Sequence, residues 1–257
     1  MQWRILFKKE MLESWRNFKW VWVPLVFILL AIFDPISTYY LPMIIDSVGS
    51  LPEGSVIEIP DPLPSEVLMM SLAQLGSLGV LIIVLMSMST IGGEIKSGVS
   101  ELILVKPVSY RNYITSKWAA LLLIIWLSLF VSMISSWYYV NLLFGDLLLL
   151  PLLQTILFYG LWLTLVATLS IFYNTLFKTP GLVAALTIMT IMAMSMVTNI
   201  FEHLLIWSPI NLSKHIEGVL LTNEVSTDLI FTAFVTVGMI AILLISSIHI
   251  FKTKEPV

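Results

Sequence analysis

From Val67 to Ile91 the chain carries no charged residue. A helix needs about 20 consecutive apolar residues to cross a hydrocarbon core of roughly 30 Å, so this stretch alone commits the chain to a bilayer. Comparable runs occupy residues 20–45, 118–140, 147–177, 182–200 and 229–248. No soluble domain fits between them. Of the 257 residues, 58% are hydrophobic and 11% are charged, against roughly a quarter charged in soluble globular chains. The expected fold is an all-α integral membrane protein: six transmembrane helices in a single domain over residues 1–257.

The charges that remain set the topology. With the amino terminus in the cytoplasm, Lys214 is the one member of the 13 lysines and arginines to fall outside. Basic residues concentrate on the cytoplasmic side of membrane proteins, so both termini are expected there. A net charge of −3 offers no basic face to nucleic acid.

The segments around the spans have their own signatures. In residues 1–19, Trp3, Phe7, Met11 and Trp15 recur every four positions among lysines and arginines. That spacing predicts an amphipathic helix with its aromatic groups on one face, lying in the membrane interface. Lys8, Lys9, Glu10, Glu13 and Arg16 leave no apolar core there for a cleavable signal peptide. The first span carries Asp34 directly before Pro35. Either the helix continues and Asp34 sits in the outer half of the bilayer as a functional acid, or it frays at Pro35 and Pro42 near the outer interface. Residues 46–66 hold five acids, no base and four prolines, and form an irregular loop. In the second span Gln74 stands among Ser71, Gly76, Ser77 and Gly79, residues that allow close helix approach or line a pathway. Residues 201–221 are more polar and are broken by Pro209, which predicts two short interfacial or re-entrant helices.

The longest charged interruption, Ile91 to Lys117, holds Glu94, Lys96, Glu101, Lys106, Arg111 and Lys117. Ile95, Val99, Leu102 and Ile103 fall at helical spacing. Lys106-Pro107 ends that helix, and Ser109 is placed to cap a second one running through Tyr113 into the third span. A solvated loop that merely fixes topology is the competing reading.

The order Glu94, Gly98, Glu101-Leu102, Pro107-Val108-Ser109 and Lys117 resembles the loop between the second and third spans of ABC transporter permeases of the six-span exporter class, ABC-2 type. There a glutamate, a Gly-Thr, a leucine pair, a Pro-x-Ser-Arg and a lysine recur in this order. Val99 departs from the threonine, and Tyr110 separates Ser109 from Arg111. The likeness extends over nearly the whole chain. It implies a permease that dimerises, as a homodimer or a heterodimer, in a bacterial or archaeal plasma membrane. A separate cytoplasmic ATPase would bind the ATP and Mg, this chain holding no cofactor. Residues 1–19 would be a connecting helix, 93–117 a cytoplasmic coupling helix docked on the ATPase, and 201–221 a pair of short extracytoplasmic helices. Glu94, Lys96, Glu101 and Arg111 would supply polar docking contacts within a docking stretch that includes Gly98; Leu102 and Ile103 would be the apolar anchors, and Pro107 and Ser109 the turn. The implied activity is export of an amphipathic peptide, a lipid-like molecule or a drug.

Rival chemistries find little footing. Gly92-Gly93-Glu94-Ile95-Lys96-Ser97 lacks the glycine a phosphate-binding loop needs before its lysine. His203, His215 and His249 lack the one-turn spacing of a metalloprotease pair, and no serine sits in a nucleophile-elbow context. With no cysteine there is no disulfide or thiolate metal site. An ion-coupled secondary transporter stays open through Asp34.

Overall fold

The computed structural model describes residues 2–48, 62–96, 98 and 109–254. Among these residues six helices are long and apolar enough to cross a membrane: Lys19–Ile45, Pro64–Lys96, Tyr110–Leu143, Leu149–Leu176, Pro180–Ile200 and Thr227–Lys254, the first to sixth spans. Among the described residues every regular element is helical. An amino-terminal helix, Gln2–Arg16, precedes the first span, and a short helix, Leu212–Thr222, precedes the sixth.

The fourth span is the hub. It packs on the second, third, fifth and sixth spans and on the short helix, and 72% of its apolar window is buried, against 17% for the fifth span. Small and hydroxylated residues make this possible. A Cβ on Gly160 would lie 2.5 Å from the Trp126 ring, so only glycine lets the third span approach. Next to it Trp126 Nε1 donates to Thr164 Oγ1 at 3.0 Å, and Trp118 Nε1 donates to Thr168 Oγ1 at 2.8 Å. Inside a bilayer such bonds satisfy indole N–H groups that lipid cannot.

The first span runs unbroken through Pro24, Pro35 and Pro42 to Val48. Asp34 therefore lies within a continuous helix, and the frayed end at Pro35 does not form. At 1.5 Å per residue, Asp34 stands roughly 22 Å along the axis from Lys19.

The second span is interrupted twice. A π-helical segment covers Leu75–Gly79, and a turn around Met88–Ile91 precedes its last helical stretch, Gly92–Lys96. Each break is met by a neighbouring side chain. Tyr159 Oη donates to the Leu72 carbonyl at 3.1 Å, and a Cβ on Gly76 would sit 3.2 Å from that oxygen. Asn174 Oδ1 accepts from the backbone N–H of Ile91 and Gly92, while its Nδ2 donates to the Ser87 and Ser170 carbonyls. Irregular backbone at membrane depth survives only where protein satisfies it in this way.

Three expectations need correction. The four-residue aromatic ladder does not form one face, because steps of four residues advance about 40° around a helix of 3.6 residues per turn. Trp3 and Phe7 stack at 5.1 Å and pack inward, whereas Trp15 is exposed. Ser109 does begin the third helix, but its side chain makes no capping bond. Residues 201–208 form turns and Pro209–Asn211 a single 3-10 turn, so one α-helix replaces the two expected before the sixth span.

Candidate functional site

The amino-terminal helix turns Trp3, Phe7, Glu10 and Ser14 inward, spaced four, seven and eleven residues from the first. This stripe packs along the start of the third span. Trp3 Nε1 donates to Thr115 Oγ1 at 3.1 Å. The stripe carries an acid, Glu10, into the interior, and that acid needs a partner.

Lys117, only 2% exposed, lies between two carboxylates: its Nζ is 2.9 Å from Glu10 Oε1 and 2.9 Å from Glu94 Oε2. Lys9 closes the ring from the other side, ion-paired to Glu94, to Glu10 at 3.1 Å and to Glu13 at 3.5 Å. Tyr113 Oη donates to Glu94 Oε2 at 2.6 Å. Its ring stacks on Phe251 of the sixth span at 5.4 Å and 16°. One cluster thus joins the amino-terminal helix, the foot of the second span, the head of the third and the tail of the sixth. Burial by itself would lower the Lys9 pKa, but the Glu94 and Glu10 carboxylates outweigh it and hold that ammonium above the ordinary lysine range.

Carboxylate oxygens of Glu10, Glu13 and Glu94 lie within 4.8 Å of one another, a spacing that could hold a cation. Lys9 and Lys117 already supply two positive charges to that space.

Two cavities open between the helices. A polar one of ≈ 420 Å³ lies beside the charged junction, between the amino-terminal helix and the first three spans. The other, ≈ 340 Å³, lies between the second, fourth and fifth spans and the short helix. Gly76, Tyr159, Trp162, Ser195, Lys214 and Glu217 are among its lining residues.

The sequence-expected residues scatter. Glu94 turns into the junction, its side chain only 11% exposed. Lys96 and Arg111 are exposed on either side of the undescribed stretch. Gly98 has φ +74, a conformation that favours glycine. Glu101, Leu102, Ile103 and Pro107 lie outside the described residues. Gln74 is half-buried directly before the π segment. Asp34 is half-buried, with no cation at ion-pair distance among the described residues. Sequence reasoning passed over Lys9, Glu10, Tyr113 and Asn174. The available signal was an acid at the seventh place of an otherwise inward stripe.

No protein-family model matches the chain. Across 250 residues it is 30% identical to the uncharacterized transmembrane protein YxlG of Bacillus subtilis (strain 168), with 97% of each chain covered. The chain belongs to that family. The match takes in all but a few residues of either chain, so the six-span stretch is shared nearly whole. The protein is a multi-pass membrane protein.

Proposed function

We propose that the protein is the membrane-spanning subunit of an ATP-driven ABC exporter of the ABC-2 type, energised by a separate cytoplasmic ATP-binding subunit. The carrying observation is the charged junction. It joins the amino-terminal helix rigidly to the ends of the second and third spans, on either side of residues 97–108. A push on that loop would reach both spans and the amino-terminal helix together. In this reading the loop faces the cytoplasm, as do both termini.

Glu101 with Lys96 and Arg111 steers docking, Leu102 and Ile103 anchor it, and Gly98, Pro107 and Ser109 shape the turn. Apolar anchors usually hold most of the energy of an interface, while charges guide encounter. Glu94 acts from behind, by holding the loop's base. A second permease chain would complete the transporter, ATP and Mg staying with the ATPase. The mostly apolar ≈ 340 Å³ cavity with Lys214 and Glu217 in its lining suits an amphipathic cargo such as a peptide, lipid-like molecule or drug.

Co-purification in mild detergent tests the reading. Tagged protein is expected to retain a soluble ATPase, which Glu101→Lys releases. Purification without any ATPase, together with solute movement in proteoliposomes under an ion gradient alone, would favour a secondary carrier. Asp34, a carboxylate inside a continuous span with no cation at ion-pair distance among the described residues, is the observation behind that second reading. Asp34→Asn is then expected to abolish transport.

A further inference from the structure

The polar cavity of ≈ 420 Å³ contains more charge than its ion pairs use. Its walls carry three lysines (Lys9, Lys19, Lys117) and three glutamates (Glu10, Glu13, Glu94), so a ligand entering it meets no net charge. Lys9 and Lys117 are saturated by Glu10 and Glu94. Two groups are left with capacity. Lys19 donates to the Met86 carbonyl at 3.4 Å, and no carboxylate among the described residues is within ion-pair distance of it. Glu13 has one long contact to Lys9 at 3.5 Å, and its side chain is half exposed.

Position narrows the ligand. Lys19 opens the first span, and Leu121 and Ile124 of the third span extend the cavity wall past Lys117. Seven residues of helix separate Lys117 from Ile124, about 10 Å of depth. The cavity therefore begins at headgroup level and reaches into the acyl region, where the surrounding molecules are lipids. The hydroxyls of Ser14, Ser89 and Thr90 also line it.

We propose that this cavity binds a glycerophospholipid with a zwitterionic phosphoethanolamine headgroup, its phosphate on Lys19 and its ammonium on Glu13. A cation with no carboxylate at ion-pair distance among the described residues, and a half-exposed carboxylate held by one long contact to Lys9, match across a neutral cavity a ligand that carries both charges. A purely anionic headgroup would leave Glu13 facing a negative charge. A trimethylated ammonium keeps its charge but has no N–H to donate to the carboxylate. The assignment does not depend on the ATP-driven reading.

Thermal unfolding of delipidated protein in detergent, titrated with dioleoyl lipids that differ only in headgroup, tests it. Phosphatidylethanolamine is expected to raise the midpoint by several degrees at concentrations where phosphatidylcholine and phosphatidylglycerol do little. Lys19→Gln and Glu13→Gln are each expected to weaken that response by about tenfold or more, the loss of one charge-assisted bond. Lys19→Arg, which keeps the cation, restores it and serves as the control should Lys19→Gln misfold. Equal shifts from all three lipids, an unchanged response in both glutamine variants, or no shift with any lipid overturns the proposal. An equal shift from inorganic phosphate alone also overturns it, by making the cavity a simple phosphate site.

Discussion

The charged junction and the opposite end of the bundle use the same pairing, lysine on glutamate, at opposite depths. Lys117 is 2% exposed and lies 2.9 Å from both Glu10 and Glu94. Lys214 lies 2.6 Å from Glu202, yet the two side chains are 53% and 63% exposed. The shorter contact matters less. Water already solvates Lys214 and Glu202, so pairing them changes little. At the junction each charge has left water, and losing a partner strands the other. Depth, not distance, decides what a pair does for the fold.

Breaking the deep pair should give the largest effect. Lys117→Met leaves Glu10 and Glu94 with Lys9 as their remaining cation among the described residues, and the expected loss is about 3–5 kcal/mol, read from reversible unfolding in mixed micelles. Neutralising Lys9, Glu10 and Glu94 together in that background should recover much of it, because an apolar junction strands nothing. A loss below about 1 kcal/mol would show the junction to be as solvated as the opposite end. Next comes the uncharged test of the same idea. Asn174→Ala leaves the Ile91 and Gly92 N–H groups without their side-chain acceptor, an expected cost of about 1–3 kcal/mol in the same assay.

The smallest effects are in pH. Lys9 is held above 10.5 when folded, so its contribution is complete below that value and fades as pH rises past it. Lys9→Met should remove this alkaline component of unfolding. Glu202 is held below 4.5 by its bond to Lys214, so its contribution exists above that pH and fades as pH falls. Because water already solvates this pair, that contribution is too small to show: Glu202→Gln is expected to unfold along the wild-type acid curve.

Hydropathy reveals the six spans because each is long enough to be recognised without its neighbours. The junction is invisible to the same reading. Lys117 and Glu10 are 107 positions apart, and Lys9 and Glu94 are 85 apart, so nothing local marks them as partners. The aromatic ladder of Trp3, Phe7, Met11 and Trp15 misled for a geometric reason, its drift around the helix. Pro35 and Pro42 left two readings open for another reason: proline breaks helices in water, but the first span runs through both. The loop at residues 99–108, from which the resemblance was chiefly read, lies outside the described residues, so docking rests on sequence where the junction rests on geometry.

The π segment at Leu75–Gly79 gives the second span one place where its length can change. A π turn is an α-helix holding one surplus residue. Removing a single residue there would let the helix close to α geometry, and the segments on either side would keep nearly their present phase. The same deletion between Val80 and Ser87 has no surplus to absorb it, so everything below would rotate by about 100° and shift by about 1.5 Å. Glu94 would then point away from Lys9 and Lys117, although no contacting side chain had changed. The junction's chemistry is thus phased by a residue count upstream of it, and a deletion inside the π segment should be milder than one in the helix that follows.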